Sequence, residues 1–185
     1  AQPSISAAAA LPTGAPANTE LSVQLAFSVC GPIRMPEHAQ GLVMLDSIID
    51  GAGSDAVAGV SGGGESGPAL RAERSTIRGR TLVRQIDLAT ETIFDGTVTA
   101  ERIQTGCVRF SFVSAASRTP RRYRCQPDLA ERRALAQEAA RVGGPLTLAQ
   151  ALAVRPAVRR RVTPAYCAEP YGQPAYLQLA LHGPA

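Results

Sequence analysis

The chain has 185 residues, 45% of them hydrophobic but only 4% aromatic, and its formal net charge of +4 is carried by 19 arginines with no lysine. That length holds one domain, with room for an appended subdomain and a real core; the missing lysine reads as the coding bias of a GC-rich bacterial genome, and so modest a charge with so few rings argues against a nucleic-acid binder. No apolar run reaches the roughly 20 residues that cross a bilayer, and Cys30, Cys107, Cys125 and Cys167 form no CxxC pair for zinc or redox chemistry.

Residues 1–19, rich in Ala, Pro and Ser, read as a flexible linker. Leu21, Val23, Leu25 and Phe27 then alternate with polar or small residues as in a half-buried strand, stopped by Cys30-Gly-Pro. Gly41 to Gly51 supplies a second strand-forming coil with Leu42, Met44 and Ile48 facing inward, an assignment that a one-residue slip would reverse.

A pattern returns from here on. Asp46-Ser-Ile-Ile-Asp-Gly51, Arg74-Ser-Thr-Ile-Arg-Gly79 and Glu91-Thr-Ile-Phe-Asp-Gly96 are short β-prone cores closed by glycine, with 28 residues between the first two glycines and 17 between the last two. The longer step reads as one period plus a glycine-rich loop between Gly51 and Pro68. Strands that recur in this way cannot bury a face alone and stack on their neighbours, as the coils of a solenoid do. In the third coil Leu70, Ala72, Ser75 and Ile77 are the expected buried members. In the run Cys107 to Val113, Val108, Phe110 and Phe112 are expected on one face, opposite Cys107, Arg109 and Ser111.

Beyond Ser114 lie Arg118, Arg121, Arg122, Tyr123 and Arg124, a basic stretch suited to gripping an acidic partner, since guanidinium forks bind such groups bidentately. The alternative is a screened loop whose arginines pair with Glu101, Asp128 and Glu131; the same alternative applies to Arg159, Arg160 and Arg161. A helical hairpin is expected at about 128–155. Asp128 and Glu131 form its first capping box and Gly143 its first stop, Thr147 and Gln150 cap the second helix, and Pro156 ends it. Tyr171 to Leu181 returns to alternation and is expected to add a last strand to the stack.

The chemistry-bearing residues nominate no reaction. Asp50 and Asp95 occupy equivalent coil positions, where β-helix enzymes acting on polysaccharides gather carboxylates, but Arg78 stands at that position between them, and turn capping is the expected role. His38 and His182 lack catalytic neighbours, and Gly62-Gly-Gly-Glu-Ser-Gly67 lacks the lysine of a phosphate-binding loop. No catalytic set, cofactor or metal is expected. Whether Cys107 and Cys125, at either end of the basic stretch, are bonded is left open.

The string Gly106-Cys-Val-Arg-Phe-Ser-Phe-Val113, with Ser117-Arg-Thr-Pro-Arg-Arg-Tyr-Arg-Cys-Gln-Pro-Asp128 and Tyr171-Gly-Gln-Pro-Ala-Tyr176, resembles right-handed parallel β-helix regions of large, functionally uncharacterised bacterial proteins, some associated with phage-tail-like systems. The likeness spans about residues 20 to 181. It implies a mainly-β fold over residues 20–185, a short right-handed parallel β-helix with the hairpin inserted.

The expected function is a non-enzymatic spacer or docking surface within a larger bacterial, tail-like assembly. Its partners would be proteins or flanking parts of a longer polypeptide, of which this chain reads as an excerpt. Neither a small-molecule substrate nor nucleic acid is expected, and the compartment is a cytoplasmic assembly, with extracellular placement after assembly as the variant. The alternatives are a carbohydrate-active β-helix enzyme and an anion or nucleic-acid contact through Arg118 to Arg124.

Overall fold

Alternation sets the strands of this protein, but a bend repeated along the chain resets the alternation each time it occurs. The computed structural model describes residues 4–10, 12–61 and 64–181. The chain forms two compact units, 1–125 and 126–185. The fold is mainly β: a curled parallel sheet in the first unit and two helices in the second.

The sheet begins with β1 (Ile5–Ser6), β2 (Ser22–Ala26), β3 (Val29–Cys30) and β4 (Ile33–Arg34), so the segment expected as a linker contributes its first strand. It continues through β5 (Gly41–Leu45), β6 (Ile48–Ala58), β7 (Gly67–Glu73) and β8 (Thr76–Thr90). It ends with β9 (Ile93–Asp95), β10 (Val98–Arg102), β11 (Cys107–Arg109), β12 (Phe112–Val113) and β13 (Arg122–Tyr123).

The parallel pairings sort these strands into three columns. The first runs β2, β5, β7, the end of β8, β11 and β13. The second runs β3, the starts of β6 and β8, β9 and β12. The third runs β1, β4, the end of β6, the middle of β8 and β10. The first column buries two aligned rows, Leu42, Leu70 and Ile86 and then Met44, Ala72, Ala89 and Val108; the second buries Ile49, Ile77, Phe94 and Val113; the third buries Ile33, Val57 and Val98 with Thr81 in register between the last two. Leu70, Ala72, Ser75 and Ile77 are buried, as the alternation predicts.

The bend between the first and second columns overturns the inward assignments of Ile48, Phe110 and Phe112, the first and last of which are half-buried. Asp46 and Phe110 adopt left-handed backbone, with φ of 46° and 51°, and a strand that passes through such a residue emerges with its two faces exchanged. Beyond Asp46 it is therefore Ile49 that is fully buried while Ile48 is half-buried. Beyond Phe110 it is Val113 that is buried, and Phe110 itself is 49% exposed.

The glycine-rich insert is also smaller than expected. β6 runs through Gly51 to Ala58, bulging where Asp50 to Val57 faces only Arg78 to Thr81, and the loop proper is residues 59–66, closed by the Gly59 N–H on the Glu65 carbonyl at 2.8 Å. Gly62 and Gly63 lie outside the described residues. Gly51 and Gly79 stack at the bend between the second and third columns: a Cβ on Gly79 would stand 2.6 Å from the Ser54 carbonyl oxygen. This close approach explains the closing glycine of the repeat.

In the second unit, α1 (Asp128–Val142) and α2 (Leu148–Val162) form the hairpin. The left-handed Gly143 stops α1, and Thr147 with Gln150 forms the capping box of α2. Two expectations are corrected. Pro127, not Asp128, is the N-cap of α1, and no side chain caps it. Asp128 and Glu131 instead place negative charge in the first turn, where the helix dipole favours it.

Pro156 does not end α2. A proline inside a helix removes one backbone hydrogen bond and costs about 3 kcal/mol, yet Glu131 holds Arg155 at 3.5 Å and Arg159 at 2.6 Å, one on each side of it. The expected last strand is absent too. Residues 171–181 make turns and two isolated bridges, Tyr166 with Leu179 and Ala168 with Tyr176, because Gly172, Ala175 and Leu177 all take positive φ.

Candidate docking site

The repeat has a tighter definition in three dimensions than in the sequence. Phe27, Asp46, Arg74, Glu91, Phe110 and Arg124 all take φ of 46–51°, and each N–H from Phe27 to Phe110 donates to the carbonyl of the next level of the first column: Phe27 to Leu45, Asp46 to Glu73, Arg74 to Thr90, Glu91 to Arg109 and Phe110 to Tyr123. The residue that follows each is Ser28, Ser47, Ser75, Thr92, Ser111 or Cys125.

Those small polar side chains hold the bend. Each of the five hydroxyls donates to the carbonyl two residues back, at 2.7–2.9 Å. Hydroxyls also accept from the level before: the Ser28 N–H donates to Ser47 Oγ at 3.1 Å, Ser47 N–H to Ser75 Oγ at 3.2 Å and Thr92 N–H to Ser111 Oγ at 3.1 Å. Cys125 takes the place of the hydroxyl on the last level, its Sγ 3.5 Å from the Tyr123 carbonyl. The sequence signal was an Xaa-Ser/Thr pair present at five levels, whereas reading by closing glycines finds three.

The left-handed residues form a column on the outer surface. Its middle is charge-compensated: Arg74 reaches Asp46 with two hydrogen bonds, at 2.8 and 2.9 Å, and these hold the Asp46 carboxyl below the ordinary 3.8. Its ends are aromatic. Phe27 is 79% exposed; at the other end Phe110 packs edge to face on Tyr123 with centroids 5.6 Å apart, and the Arg124 guanidinium lies 5.5 Å from the Tyr123 ring centre. Exposed rings beside a guanidinium are the side chains that anchor protein interfaces.

The basic stretch is thereby divided. Tyr123 and Arg124 join Phe110 at the first column, while Arg118 lies in the third, bridged to Thr99. Arg122 is turned to internal use, its Nε donating to Thr119 Oγ1 at 2.9 Å and its Nη2 to the Ser117 carbonyl at 2.6 Å. Arg121 is exposed. Glu131, expected as a partner for these arginines, serves Arg155 and Arg159. Unbroken alternation points Phe110 into the core with Val108, and only the bend brings it to the surface.

Asp50 and Asp95 do come together, across Arg78, which stands 3.7 Å from the first and 3.9 Å from the second. A groove of about 570 Å³ is lined by Arg78 and Asp95 with Ala52, Gly53, Ser54, Gly79 and Arg80. Asp50 also accepts the Ala52 N–H at 2.8 Å, the turn-capping role expected of it. A guanidinium thus fills the space between the two carboxylates that a scissile sugar bond would need.

His38 is exposed and bonds the Ala17 carbonyl at 2.7 Å; His182 lies outside the described residues. Cys107 and Cys125 are both free thiols, as are Cys30 and Cys167, and burial pushes the Cys30 thiol up. Among the described residues no cluster of His, Cys, Asp or Glu could hold a metal ion, and no helix is long and apolar enough to cross a membrane.

No protein-family model, curated protein or solved structure matches this chain.

Proposed function

We propose that the first unit is a short right-handed parallel β-helix acting as a rigid spacer and docking module, without catalysis, in a larger bacterial assembly. The observation that carries this reading is the bend itself, repeated at six levels and tied by backbone hydrogen bonds from each level to the next, with hydroxyls reinforcing them, over a buried apolar interior. Such a stack transmits position and force because no level can shift without breaking bonds to both neighbours. Phe110, Tyr123 and Arg124 are its docking surface, two half-exposed rings and a cation that the fold leaves facing outward. The tail-like setting rests on the sequence resemblance alone.

The spacer is tested by pulsed electron spin resonance between labels at Phe27→Cys and Arg124→Cys, with Cys30, Cys107 and Cys167 replaced by Ser and the labelled chain diluted into unlabelled chain. Five strand spacings of about 4.8 Å give about 24 Å between the label sites, in a narrow distribution. A broad distribution overturns the rigid coil. Docking is tested by photo-crosslinking from position 123: adducts that persist when Phe110 and Arg124 are both Ser overturn the docking surface.

A further inference from the structure

Among the described residues β2 is the last strand of its column. In a parallel pair, successive residues aim their N–H and C=O at opposite neighbours. The Leu21 carbonyl accepts from Gln40 and the Phe27 N–H donates to Leu45, so the odd-numbered residues of this stretch face β5. Ser22, Gln24 and Ala26 therefore point N–H and C=O outward, and among the described residues no strand pairs with that edge. β2 reads Ser-Val-Gln-Leu-Ala. It carries none of the charges or prolines by which edge strands avoid joining other strands. Val23 and Leu25 are only partly buried against the core, and Phe27 and Val29 are 79% and 46% exposed.

We propose that this edge pairs with the same edge of a second copy, antiparallel about a twofold axis through Gln24, in a head-to-head dimer. The strand is self-complementary in that register. Gln24 meets Gln24 and exchanges both backbone hydrogen bonds, Ser22 meets Ala26, and on the core side Val23 meets Leu25, so that one apolar row runs on into the other. Leu21 falls opposite the exposed Phe27. Glu20, the nearest acid, falls opposite Ser28, and no like charges face each other.

The rest of this end fits the same axis. This step rests on the β-helix reading above, in which the chain climbs one strand spacing per turn and hence a third of a spacing per column. β1 then projects a third of a spacing beyond β2 while β3 lies a third short of it. The twofold axis carries the second column onto the third, so β1 of each copy stands one spacing from β3 of the other. Among the described residues, the ramp at the end of one coil is matched by the ramp of its mate. The interface is isologous and closes on itself, giving a dimer and not a filament.

The experiment uses the whole chain. Light scattering at about 100 μM is expected to give twice the 19.3 kDa of the chain. Gln24→Pro removes an outward N–H that no bond within the chain uses; the melting temperature is expected to hold while dimer affinity falls about 100-fold. In Gln24→Cys the paired Cα atoms would lie about 5.5 Å apart, within disulfide reach, so oxidation should yield, by mass spectrometry, two copies of the peptide joined through position 24. Ser22→Cys should link to Ala26→Cys and not to itself.

A monomer, a dimer indifferent to Gln24→Pro, or Ser22→Cys linking to itself would each overturn the proposal. A narrow label distribution with a monomeric chain removes the dimer and leaves the coil standing. A broad distribution removes both.

Discussion

Replacing Ser75 by Ala isolates the hydroxyl ladder at the centre of the stack. Ser75 is 4% exposed; its Oγ donates to the Glu73 carbonyl at 2.8 Å and accepts the N–H of Ser47, itself 2% exposed, at 3.2 Å. The Glu73 carbonyl keeps a second donor in the Asp46 N–H at 3.1 Å, so the main loss is a buried N–H left without a partner. Such a group costs about 1–3 kcal/mol, and about 2 kcal/mol is expected here. With a urea m-value of about 1.5 kcal/mol/M, the midpoint of unfolding, followed by far-ultraviolet circular dichroism, should fall by about 1.3 M. Ser28→Ala is the control, because its hydroxyl lies on the first level and donates to the exposed Ala26 carbonyl; about 0.5 kcal/mol or less is expected. Equal losses in the two variants would refute the argument, for they would mean that the levels are held by apolar burial alone and that the hydroxyls merely decorate the bend.

Gly106→Ala should prevent folding or cost more than about 3 kcal/mol, because Gly106 has φ of +79° and an added Cβ would collide with the Ile86 carbonyl; Gly53→Ala, at φ of +82° but with open space around it, should cost only about 1 kcal/mol, and thermal melts separate the two. Acid should weaken the first unit: hydrogen bonds from Arg74 and Arg80 hold Asp46 and Asp55 below their ordinary 3.8, so their contribution is complete above that pH and is lost as pH falls through the lower folded values. Asp46→Asn should accordingly lower the urea midpoint at neutral pH and leave it unchanged once wild-type Asp46 is protonated; an equal difference at both would contradict the linkage. Arg122→Ala, which unties the 117–122 loop, should speed hydrogen exchange at the Arg118 N–H by about tenfold, whereas Arg121→Ala should leave it unaltered.

The β class, the hydroxyl-and-glycine repeat and the helical hairpin were legible in the sequence because each is a local matter: two-residue alternation, a small residue where backbones approach, and capping residues at helix ends. The inward rows were only half legible. Alternation says which residues share a face between bends, but the left-handed residue that exchanges the faces is Arg, Glu or Phe as often as Asp, and of these only Asp has a side chain that favours left-handed backbone. At Phe110 that ambiguity concealed the centre of the candidate docking surface. Pro156 and the 171–181 stretch misled for the opposite reason, since ion pairs across the proline and turns at Gly172 and Ala175 override local preference.

The sequence by itself determined that this chain builds strands closed by glycine and stacks them, because a strand with one apolar face has no other way to bury it. Only the tertiary structure decided which residues face outward. The levels are joined by bonds between residues far apart in the chain, as from Asp46 to Glu73, and the sign of φ at each bend is set by those bonds. That sign turns Phe110 to the surface and Ile49 and Val113 to the core, while pairing with β5 leaves the backbone of Gln24 on the outer edge of β2.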